Sequence, residues 1–114
     1  MSSSTHNAVA AIDIGTNSTN LLITDRYGQM LERQVTVTRL GQGVDKSRML
    51  APEAIERTIL CLARYRELLD AHGSPLLRII ASSASRDALN REEFFALDPF
   101  LNLPPGQVIA LEDI

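Results

Sequence analysis

Apolar residues fill every position from Val9 to Ile14 except Asp13, the pattern of a short strand covered on both faces. After a turn at Gly15 to Ser18, Leu21-Leu22-Ile23-Thr24 reads as a second strand. Met30 to Thr38 then alternates, with Val35 and Val37 on one face and Thr36 and Thr38 on the other, as a third strand would. Between the second and third, Asp25-Arg26-Tyr27-Gly28 places glycine where a turn uses a positive φ. The pattern predicts strands near 8–14, 19–25 and 29–38, joined as an antiparallel meander.

The stretch "RLGQGVDKSRML" (39–50) mixes glycines and charges without a period and is expected to be an irregular loop. Pro52 suits the first turn of a helix, with Glu53 and Glu56 near its positive end. Ile55, Ile59, Leu62 and Leu69 share one stripe, which predicts an amphipathic helix near 52–72 with that stripe buried. Gly73 stops it and Pro75 prevents resumption. "LLRIIA" (76–81) is a strand reached by a long crossover helix, so a parallel neighbour is expected. A second helix over Arg91 to Ala96 and a last strand over Gln107 to Leu111 complete the order. Strand, strand, strand, helix, strand, helix, strand is a mixed α/β layer system.

Composition narrows the class. The chain has 114 residues, 45% hydrophobic and 22% charged, and a net charge of −3, the balance of one globular unit with no general electrostatic hold on nucleic acid. No apolar run approaches the roughly 20 residues that span a bilayer. The start lacks a signal-peptide pattern, so no membrane association is expected and the cytoplasm is the expected compartment. Residues 1–7 are small and polar, expected as a disordered leader to a unit over 8–114. The one cysteine, Cys61, sits among apolar helix positions as a buried core thiol.

Two loops carry more than turn chemistry. In "AAIDIGTNS" (10–18), glycine permits close backbone approach, and loop N–H groups with the Thr16, Asn17 and Ser18 side chains can converge on a phosphate. Asp13 would be repelled by that phosphate; its use would be to hold a metal through water or to orient an attacking water. The same residues also suit a hairpin with an incidental aspartate. In "ASSASRDA" (81–88), serines and Arg86 follow a strand and enter a helix, favourable to phosphate; a plain helix cap with a solvated arginine is the other reading. "GQGVDKS" is no P-loop, because Asp45 stands where glycine must precede the lysine. His72 falls at a helix end, where a capping imidazole is the ordinary explanation.

Together, "AAIDIGTNSTNLLI", "TRLGQGVD" and "ASSASRDALNREEF" resemble the successive N-terminal motifs of the exopolyphosphatase and guanosine pentaphosphate phosphohydrolase (Ppx/GppA) family of the actin-like ATPase superfamily. The resemblance implies a ribonuclease-H-like mixed sheet with flanking helices, and magnesium-dependent hydrolysis of a terminal phosphoanhydride in inorganic polyphosphate or guanosine pentaphosphate. It implies that Asp13 faces metal and water, that Gly15, Thr16, Asn17 and Ser18 form the first phosphate loop, and that Arg86 grips a substrate phosphate. Asn20 stands where family members often carry arginine or histidine. The family continues into a Ser-Gly-x-Glu-Glu-Ala segment with the catalytic glutamate and then a glycine-rich second loop, whereas this chain reads "VIALEDI". The expectation is an N-terminal lobe, inactive alone, that binds phosphate weakly and associates with a second copy or with the missing half.

Overall fold

The computed structural model describes residues 8–73, 75–81 and 88–96, and the backbone of 108–113. The expected leader at 1–7 and the Arg86 loop lie outside the described residues.

Strands β1 (Val9–Ile14), β2 (Ser18–Thr24) and β3 (Met30–Val37) form the meander. Gly28 takes φ 83 in the β2–β3 turn, and the Asp25 carboxylate accepts from the N–H groups of Tyr27 and Gln29. A one-turn helix α1 (Val44–Ser47) and the long helix α2 (Pro52–Ala71) then lead to β4 (Leu76–Ala81), α3 (Arg91–Ala96) and β5 (Val108–Asp113). The sheet order is β3-β2-β1-β4-β5. β1 is central, antiparallel to β2 and parallel to β4, which is in turn parallel to β5.

Pro52 occupies the first turn of α2, where its missing N–H costs nothing. Gly73, at φ 85, ends the helix. Ile55, Leu62 and Leu69 are buried, and Ile59 is half-buried against the same core. They pack with Ile12, Ile14, Leu21, Ile23, Leu77 and Ile79 from the inner face of the sheet. Each fully buried aliphatic side chain contributes about 1.5–3 kcal/mol, so this stripe fixes α2 across the strands.

Four expectations need correction. Loop 39–50 contains α1, held between two left-handed residues, Gly43 and Arg48, and pinned by buried Leu40 and Leu50. Asn90 clasps both backbone groups of Leu50, at 2.8 and 3.1 Å, tying α3 to this loop. β1 is covered on one face: Ala11 and Asp13 are exposed and Val9 keeps 47% of its surface, because α2 packs on the opposite side. The alternation of β3 left its facing open, and here Val35 and Val37, at 56% and 70% exposed, point outward, while Thr38 is buried and Thr36 meets Tyr65. The imidazole of His72 does not cap α2. Its Nε2 lies 3.5 Å from Glu32 Oε1 on β3, and the Gln34 amide, more than His72, holds the Glu32 carboxyl below the usual carboxylate range. The last strand runs to Asp113 rather than Leu111.

Candidate phosphate-binding site

Asp13 is the penultimate residue of β1, at the end of the strand where its outer face gives way to the β1–β2 turn. It lines an open depression of about 340 Å³ with Ala11, Ser18, Asn20, Arg33 and Val35. The ladders explain the grouping. Asp13 stands opposite Asn20 and Ile80, and Asn20 stands opposite Val35, so these positions form one cross-strand row. Among the described residues the Asp13 carboxylate has no hydrogen-bond partner. Asn20 Oδ1 is buried there without a donor, a vacancy that costs about 1–3 kcal/mol if nothing fills it.

The loop itself is shaped from behind. Gly15 N–H donates to Ser18 O at 2.8 Å, and a Cβ on Gly15 would stand only 2.8 Å from that oxygen. Glycine is therefore required by close approach rather than by a positive φ. Asn17 O accepts from both Thr38 N–H (3.2 Å) and Arg39 N–H (3.0 Å), and Thr16 O accepts from Gly41 N–H at 3.0 Å. In a trans peptide the C=O and the following N–H point opposite ways. With the Thr16 and Asn17 carbonyls turned into segment 38–41, the N–H groups of Asn17 and Ser18 face away from it. Among the described residues the Thr16 and Asn17 amides find no backbone acceptor. Outward amides with open hydroxyl and amide side chains supply donors of the kind that can receive an anion.

A buried polar line supports this arrangement. Thr19 Oγ1 and Thr38 Oγ1 are 2.8 Å apart, and Tyr65 O–H donates to Thr19 O at 2.7 Å and lies 2.6 Å from Thr36 Oγ1. Burial pushes the Tyr65 phenol up to about 12.

Of the site residues expected from sequence, Asp13, Gly15, Thr16, Asn17 and Ser18 gather at one end of the sheet, with Ser18 already the first residue of β2. Arg86 lies outside the described residues. The sequence reading missed Arg33, which the strand alternation places on the Asp13 face, and the bracing segment 38–41, whose role left no local signal. The described residues hold no cluster of three metal-ligating side chains. Register sets Glu112 opposite Ile80, in the Asp13 row two strands away, roughly 9.5 Å by inter-strand spacing.

The model of the Ppx/GppA phosphatase family matches residues 22–97, more than half of the chain. The chain belongs to this family. Exopolyphosphatase 2 of Mycobacterium tuberculosis is 48% identical to this Ppx/GppA chain over 96 residues, 78% of this chain and 30% of that protein. A Ppx/GppA phosphatase from Aquifex aeolicus superposes with a TM-score of 0.79 at 31% identity, over 94% of this chain and 35% of that one. An exopolyphosphatase from Cytophaga hutchinsonii does so with a TM-score of 0.78 at 26% identity, over 92% and 34%. The fold is the ribonuclease-H-like, actin-like ATPase sheet, and the chain spans about a third of the length of these relatives. Among the described residues no helix is long and apolar enough to cross a membrane.

Proposed function

We propose that these residues form the first phosphate loop of a cytoplasmic enzyme that hydrolyses the terminal phosphoanhydride of inorganic polyphosphate. The observation that carries this is the turning of the Thr16 and Asn17 carbonyls into segment 38–41, which leaves the Asn17 and Ser18 amides facing outward beside Asp13. A relative named as an exopolyphosphatase at 48% identity supports polyphosphate as the substrate. Guanosine pentaphosphate is the alternative, since it presents the same terminal phosphoanhydride.

The Asn17 and Ser18 amides would donate to oxygens of the terminal phosphate, with Thr16, Asn17 and Ser18 side chains adding donors and the Arg86 guanidinium adding charge-assisted bonds. Asp13 bears the charge of the phosphate and cannot bind it directly. One open carboxylate beside a phosphate loop fits magnesium, which keeps several waters and takes one or two carboxylates plus substrate oxygens. Asp13 would hold that ion, whose chemistry is to neutralise charge on the phosphate oxygens. The remaining task is to activate water. Asp13 is the one carboxylate lining the depression among the described residues; with Asp13 given to the ion, this reading assigns the base to a carboxylate outside that lining. The 114 residues alone are expected to bind phosphate chains without turning them over.

The test is competition binding with magnesium, long-chain polyphosphate against guanosine pentaphosphate, together with phosphate release. Tighter polyphosphate binding supports the proposal and tighter guanosine pentaphosphate binding favours the alternative. Magnesium-dependent turnover by the chain alone would contradict the placement of the base and turn attention to Glu112.

A further inference from the structure

We infer that Arg57, on α2, is a positioning residue for the phosphate loop, acting through segment 38–42. The inference rests on the phosphate reading for its ligand, while its geometry stands independently.

Arg57 is half-buried and reaches three acceptors in one short segment. Its Nε donates to Thr38 O at 2.9 Å, and one terminal nitrogen donates to Gln42 Oε1 at 2.6 Å and to Arg39 O at 3.3 Å. Thr38 and Arg39 are the same residues whose N–H groups both donate to Asn17 O. The guanidinium thus grips the carbonyl side of the two residues that grip the loop. Arg39 adopts φ 48, a conformation that residues other than glycine rarely take without surroundings that hold them there. The Arg57 and Gln42 N–H donors on Arg39 O supply part of that hold.

α2 is fixed by its buried stripe, so Arg57 is a tether from a rigid element. Through Thr38 and Arg39 it sets the direction of the Asn17 carbonyl, and the planar peptide then sets the Ser18 N–H. Segment 38–42 also carries Gly41, whose N–H orients the Thr16 carbonyl and hence the Asn17 N–H. A lysine could not do this, because a single ammonium lacks the fork that spans Thr38 O and Gln42 Oε1 together. Arg64, two turns further along and exposed, lines the same groove of about 270 Å³ beside Thr36 and Thr38 but makes no such bonds, which makes it the control.

The experiment uses the 15N-labelled 114-residue chain as wild type, Arg57→Ala, Arg57→Lys and Arg64→Ala. In ligand-free protein, amide exchange at Thr38, Arg39 and Gly41 should quicken by about tenfold or more in Arg57→Ala, the loss of one or two charge-assisted bonds. Exchange in β1, β4 and α2 should hold. Tripolyphosphate should bind about tenfold more weakly to Arg57→Ala, Arg57→Lys should stay closer to alanine than to wild type, and added guanidine should restore part of the loss. Arg64→Ala should match wild type in both readouts. Unchanged exchange at those three amides, or an equal rise throughout the sheet and α2, overturns the inference. If Arg57→Ala does not fold, Arg57→Lys decides by the same criteria. If the wild type itself fails to bind tripolyphosphate, the phosphate reading falls and the exchange data still decide the role of Arg57.

Discussion

Replacing Gly15 by alanine adds one methyl group at the tightest point of the loop. The new Cβ would stand 2.8 Å from Ser18 O, where ordinary contact begins at 3.4 Å, so the oxygen must retreat by about 0.6 Å. That oxygen is backbone and already accepts from Gly15 N–H at 2.8 Å, so it cannot rotate away as a side chain would. Crowding of this kind costs about 1–3 kcal/mol, and the weakened hydrogen bond about 1 kcal/mol more. Alanine lowers the entropy of the unfolded chain and returns about 0.4–1 kcal/mol. The net expectation is a loss of about 1–3.5 kcal/mol, a fall of roughly 1–2 M in the urea midpoint at a typical slope. Tripolyphosphate binding should weaken as well, because moving Ser18 turns the outward amides. Gly28 is the control: it has φ 83 with nothing within 4 Å of an added Cβ, so Gly28→Ala should lower stability and leave binding intact. Urea titration and calorimetry on the two variants decide the matter. A Gly15→Ala chain with wild-type midpoint and wild-type affinity would refute the reasoning.

Tyr65→Phe removes one of the donors to Thr19 O, which keeps its β3 ladder partner, and should cost about 0.5–1.5 kcal/mol in urea unfolding. Its phenol is held at about 12 when folded against an ordinary value of 10.0, so the folded state keeps a proton that the unfolded state releases. That stability is complete below pH 10 and is lost as pH rises from 10 to 12; unfolding curves across this window should fall for wild type and flatten for Tyr65→Phe. His72→Ala should leave both the urea midpoint and phosphate affinity unchanged, since its contact with Glu32 is long and solvated. Arg86→Ala should weaken phosphate-chain binding by roughly 1.5–3 kcal/mol, read by calorimetry; equal effects from His72→Ala and Arg86→Ala would argue against this site.

The elements that could be read from sequence are those whose signals are local. Ile55, Ile59, Leu62 and Leu69 repeat at helical spacing between Pro52 and Gly73, so α2 and both its ends were legible. The loop was legible at Asp13 and Gly15 because a carboxylate before a glycine exceeds what a hairpin needs. The facing of β3 was not. Val35 and Val37 look like core, yet Thr36 and Thr38 turn inward because Tyr65 and Thr19 offer hydrogen-bond partners there. α1 was hidden because a single turn carries no period, and the two residues that anchor its flanks, Leu40 and Leu50, are buried by the fold rather than marked by any local spacing. Arg57 reads as a surface cation of an amphipathic helix, and only the fold brings it to Thr38 and Gln42.

The claim that Asp13 and the Gly15–Ser18 loop bind phosphate is tested most directly by titrating the 15N-labelled chain with tripolyphosphate, with and without magnesium. The account predicts that the amides of Asn17 and Ser18 shift first and furthest, that magnesium tightens binding, and that Asp13→Asn abolishes the magnesium effect while leaving the loop folded. Shifts centred elsewhere, with Asn17 and Ser18 unmoved, would contradict it.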